Sequence, residues 1–76
     1  MRTYGKLRER IKRKYGNFDS FAEDMGKSRT TISLKLNSKV PWDQNEIELA
    51  CKILGILKTE ITDYFFYDEG LDFKTL

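Results

Sequence analysis

The chain has 76 residues, 39% hydrophobic and 34% charged, with one cysteine, Cys51, and no histidine. That length builds one small core and leaves no room for an enclosed catalytic pocket, while the cysteine and histidine counts exclude an internal disulfide and a Cys/His zinc site. Net charge is only +2, yet residues 1–40 carry 11 Lys+Arg against 4 Asp+Glu, a net of +7, and residues 41–76 carry 3 against 8, a net of −5.

From Thr3 to Tyr15 the apolar residues Tyr4, Leu7, Ile11 and Tyr15 step by three, four and four, which predicts a first helix with its core stripe on one face. Gly5 costs about 1 kcal/mol against alanine near its start, so the firm part begins at Lys6. The other face carries Lys6, Arg10, Lys12, Arg13 and Lys14. Two readings apply: a solvated basic face, or one in which one or two of these residues, Lys6 and Arg10 foremost, reach phosphates. Gly16 ends the helix and Asn17 caps the next, predicted over Phe18 to Met25 with Phe21, Ala22 and Met25 on one side. Asp19, Glu23 and Asp24 lie at its beginning or outer face. Nothing concave surrounds them, which leaves them as solvated charges and not catalytic acids.

Gly26 breaks the second helix, and Ser28 caps a third, Arg29 to Leu36, with Ile32 and Leu36 inward. A small residue where two helices cross (Ala22), a residue tolerant of positive φ at the turn (Gly26) and a branched anchor under the second helix (Ile32) stand at helix-turn-helix spacing. Through Phe18 to Asn37 the chain resembles the Cro-type and XRE-type phage repressors, a lambda-repressor-like family, over Tyr4 to Phe66. The resemblance implies that the third helix enters the DNA major groove, with Ser28, Arg29, Thr30, Ser33, Leu34 and Asn37 toward the bases. Arginine suits guanine, hydroxyls suit several bases, and asparagine suits adenine. Leu34 reads equally as an ordinary exposed leucine or as a contact to a thymine methyl. Asn17, Phe18, Lys35 and Lys39 join Lys6 and Arg10 as candidate phosphate contacts. Two positions depart from the family. Phe18 stands where a glutamine clamp is frequent, so that clamp is expected to be replaced by backbone N–H groups of the helix start. Lys27 stands where an apolar residue is usual, so a less buried turn is expected.

Residues 37 to 42, Asn-Ser-Lys-Val-Pro-Trp, read as a loop. Asp43 and Glu46 form a capping box and Trp42 with Ile47 a hydrophobic staple, which makes Trp42 structural and not a base-stacking platform. The fourth helix, Gln44 to Leu54, buries Ile47, Ala50, Cys51 and Leu54, and Gly55 stops it. Thr59 is expected to cap a short fifth helix, Glu60 to Phe65. Tyr64, Phe65, Phe66 and Tyr67, with Leu71 and Phe73 beyond, exceed what that helix can bury, and an exposed aromatic patch marks an interface. Homodimerisation through Tyr64, Phe65, Phe66, Tyr67 and Phe73 follows, against the alternative that the tail folds back on its own core or frays.

The expected architecture is all-α: a five-helix DNA-binding domain over residues 1–67 and an acidic, aromatic tail over 68–76. The expected function is a sequence-specific transcriptional regulator, repressing by occupying operator DNA, since so short a chain offers no second domain for sensing or recruitment. The rival from another class is an antirepressor-type protein-interaction module on the same fold. No enzyme activity, cofactor or metal is expected. No run approaches the roughly 18 apolar residues of a membrane span and the N-terminus lacks a signal peptide's apolar region, giving a cytoplasmic reading, in a bacterial host if the phage resemblance holds.

Overall fold

A computed structural model describes residues 4–66. Five α-helices run in order: α1 Gly5–Tyr15, α2 Phe18–Met25, α3 Arg29–Leu36, α4 Gln44–Leu54 and α5 Ile61–Phe65, with a 3₁₀ turn at Lys58–Glu60 before the last. No strand occurs among the described residues. No helix among them is long and apolar enough to cross a membrane, and no cluster of metal-ligating side chains forms.

The boundaries follow from local chemistry. Asn17 Oδ1 accepts the Ser20 N–H (2.8 Å) and Ser28 Oγ the Thr31 N–H (3.1 Å), each satisfying an orphan donor at a helix start. At α4 the reciprocal pair is complete: Asp43 Oδ1 accepts from Glu46 N–H and Glu46 Oε1 from Asp43 N–H. Gly26 ends α2 at φ 70°, where the left-handed backbone lets the Lys27 N–H reach the Ala22 carbonyl (2.9 Å) and turns the chain sharply into α3. The last element departs from expectation. No side chain caps α5; Thr59 and Glu60 lie in the 3₁₀ turn, whose start is held by Glu60 Oε1 accepting the Leu57 N–H (3.0 Å).

The largest fully buried side chains are Phe21, Phe65, Leu7, Ile11 and Ile32, and Ala50 of α4 is buried with them, so all five helices reach one core. Tyr64 and Phe65, expected at a dimer interface, are instead 8% and 1% exposed. Phe65 stands edge-on to Trp42 (5.4 Å, 81°), which in turn meets Tyr4 (6.3 Å). Stacking the start of α1, the loop before α4 and α5 around one indole gives the aromatics a place that spacing within α5 could not reveal. Phe66 stays exposed, whereas Tyr67 and Phe73 lie outside the described residues. Ile47 moves to the margin of the core, and the residue beside it, Glu46, is buried in its place.

Candidate nucleic-acid interface

The α2–turn–α3 unit presents a polar strip. Arg29, Thr30, Leu34 and Asn37 are exposed and Ser33 is half-buried, because Ile32 and Leu36 are fixed in the core and the 3.6-residue period turns the others away from it. Two of the candidate base contacts carry structural duties. The Ser28 hydroxyl caps α3 and also bonds Thr31 Oγ1 (2.9 Å). Asn37 Oδ1 accepts from Arg8 Nη2 (2.6 Å), while its Nδ2 donates to Ser33 Oγ (3.4 Å).

Phe18 sits partly buried against the core with two cations near its ring: the Lys12 ammonium 5.8 Å and the Arg29 guanidinium 5.5 Å from the ring centre. Arg29 Nη1 also pairs with Asp19 Oδ1 (3.1 Å). The aromatic ring, which stands where a glutamine clamp is frequent in the family resembled, therefore orders Arg29 through its π face and apolar surface. Beside it, the first backbone N–H groups of α2 lack intrahelical acceptors, as at every helix start.

Three expected phosphate contacts are placed otherwise. Lys35 turns inward, its side chain 7% exposed, with Nζ 2.8 Å from Glu46 Oε1 and 2.9 Å from the Pro41 carbonyl. The reason is its position one residue before Leu36 on the side facing the loop, where a buried carboxylate draws the ammonium in. Burial pushes the Glu46 carboxyl up, but the Asp43 backbone N–H, the hydrogen bond from Lys35 and the charges of Lys35 and Lys27 outweigh it and hold the carboxyl below its ordinary range. Arg10 donates to the Leu54 and Gly55 carbonyls and to Tyr64 Oη, closing the C-terminus of α4. Lys6 lies over the Tyr64 ring, 4.0 Å from Asp63, at α5. Lys39 remains exposed in the loop after α3. Lys27, exposed at the turn, reaches Glu46 Oε2 (3.5 Å), so the turn is less apolar, as its residue type predicts.

Arg8 is absent from the basic face read from the sequence and Lys12 stands there without a particular role, although a signal for both existed. On α1 they flank one side of the 4-7-11-15 stripe while Arg10 and Lys14 flank the other, so the first pair faces α2 and α3 and the second faces α4. The contacts follow that division. Arg8 Nη2 also donates to the Leu36 carbonyl (2.7 Å) and Lys14 Nζ to that of Ile53.

Together these features define a small all-helical domain with a polar strip on its third helix, bordered by guanidinium groups. The chain belongs to a family described as proteins of unknown function, DUF739, whose model matches residues 2–69. No curated protein matches it.

Proposed function

We propose that the chain is a sequence-specific DNA-binding regulator that occupies operator DNA by laying α3 in the major groove. The observation that carries this reading is the outward strip of Arg29, Thr30, Ser33 and Asn37, set between ordered cations on α1 and the N-terminus of α2. Arg29 supplies a fork for guanine, and its neighbours supply hydroxyl and amide groups. Lys12 and Lys39 supply backbone charge on either side. Repression by occupancy is the simplest action for such a module, and a twofold pair would set two third helices about 34 Å apart in successive grooves. Selection from random duplex DNA should enrich an inverted repeat. On that site Arg29→Ala should lose about 1–3 kcal/mol and relax base preference, whereas Lys39→Ala should weaken all sequences alike. Equal losses for Arg29→Ala on selected and random DNA would refute guanine readout by Arg29.

A protein-interaction module is the second reading. Leu34 (41% exposed) and Val40 (36%) favour it, because the Val40 N–H bonds the Leu34 carbonyl and brings the two apolar residues to one end of the strip. Failure of the selection to enrich any sequence would favour that reading.

A further inference from the structure

Between α1, α2 and α3 lies a shallow pocket of about 60 Å³ lined by Arg8, Phe18, Arg29, Ile32, Ser33 and Leu36. We infer that this pocket is a phosphoryl-binding site in which the guanidinium groups of Arg8 and Arg29 grip an oxyanion beside the Ser33 hydroxyl.

Four observations lead there. None of the six lining residues is acidic, and two are guanidinium ions, whose planar forks match phosphate oxygens in pairs. Both ions are already held in place. Arg8 is tied through Nη2 alone to the Leu36 carbonyl and Asn37 Oδ1; Arg29 is tied through Nη1 to Asp19 Oδ1 and lies against the Phe18 ring. Each therefore keeps Nε and one terminal nitrogen without a hydrogen-bond partner among the described residues, and the ordering that binding would otherwise require is largely done. The Ser33 oxygen accepts from Asn37 Nδ2, which leaves its O–H to donate. The volume, about 60 Å³, admits a group of phosphoryl size. Ile32, Leu36 and Phe18 make the floor apolar, but an apolar occupant would desolvate the guanidinium groups with no return.

The phosphoryl group could belong to the backbone of duplex DNA or to a free phosphoester. In the first form the inference rests on the DNA-binding reading and turns Arg29 from guanine to a phosphate, leaving base readout to Thr30 and Asn37; in the second it does not rest on that reading. The arginine Nε–H resonances of the isotopically labelled chain distinguish the two in separate titrations, with pyrophosphate and with a short mixed-sequence duplex, at ionic strength held constant with sodium chloride. Arg8 and Arg29 should shift together on one saturable curve while Arg10 and Arg13 stay still. Arg8→Lys, which keeps the charge and a donor for the Leu36 carbonyl but loses the fork, should weaken binding about tenfold. Arg29→Lys, at an exposed position, should do the same if Arg8→Lys fails to fold. Saturation by the duplex alone assigns a backbone phosphate. Saturation by pyrophosphate alone assigns a free phosphoester, and the inference then stands while the DNA-binding reading falls. No saturable shift with either probe, or unchanged affinity in both lysine variants, overturns it.

Discussion

Lys35 and Glu46 show how much a single side chain's role depends on its neighbours. Each is about 7% exposed at the side chain, and they meet at 2.8 Å with Lys27 on the outer carboxylate oxygen. Removing one member of such a pair strands the other. Glu46→Ala should therefore lower stability by about 3–5 kcal/mol in urea denaturation, whereas Lys35→Met combined with Glu46→Leu should lose less than the single change. The carboxyl ionises more readily folded than unfolded, so its contribution is complete above its ordinary value of 4.5 and is lost as pH falls through the lower folded value. Glu46→Gln should flatten that acid limb. Tyr15 has the opposite sign. Burial, then its hydrogen bond to Asp24 (2.7 Å), then that carboxylate's charge push its hydroxyl up to about 12 from 10.0. The stability this adds is present below pH 10.0 and is lost as pH rises toward about 12. Tyr15→Phe should remove that share of the alkaline loss in denaturation measured across this range, and ultraviolet tyrosinate titration of the variant should lack the phenol that titrates at about 12.

At the scale of elements, α1 acts less as a basic face than as a set of helix caps. Arg8 serves the C-terminus of α3, and Arg10 and Lys14 that of α4. Unpaired carbonyls and the negative end of the helix dipole attract cations there, so these charges stabilise tertiary packing. Arg10→Ala should accordingly lower stability by about 1–3 kcal/mol, read from chemical denaturation, and leave DNA affinity unchanged at temperatures where the variant stays folded. A uniform loss of affinity with no loss of stability would return Arg10 to the phosphate contacts. The Phe18 ring plays a related part in α2. It packs against the core and also lies close to the charges of Arg29 and Lys12.

For the whole molecule, the +7 charge of residues 1–40 overstates what a polyanion meets. Arg10, Lys14 and Lys35 are engaged with carbonyls or a buried carboxylate, whereas Lys12 and Lys39 are exposed and Lys27 and Arg29 are exposed beside Glu46 and Asp19. If about four phosphates are neutralised per protomer, log K should fall against log salt with a slope of about −3.6. A flat response in a salt series of filter-binding or anisotropy measurements would remove the DNA reading. Assembly, too, has a smaller candidate surface than the aromatic count suggested, since Tyr64 and Phe65 belong to the core and Phe66 and Leu57 are what the described residues expose around α5.

Periodicity and caps by themselves determined most of the fold. The spans of α2, α3 and α4, the inward set of Phe21, Ala22, Ile32 and Leu36, and the turn at Gly26 are local matters, fixed by a 3.6-residue repeat, a capping side chain or a permissive φ. The outward positions of Arg29, Thr30 and Asn37 were legible for the same reason. Tertiary structure alone decided where the long side chains went. Arginine and lysine reach far enough to choose between solvent, a helix C-terminus and a buried carboxylate, and that choice depends on residues 11 to 54 positions away in the chain, as with Lys35 and Glu46 or Arg10 and Tyr64. Lys35 chose Glu46, and the aromatics of α5 chose Trp42 and the core, because burial beside a partner drawn in from another element outweighs hydration there.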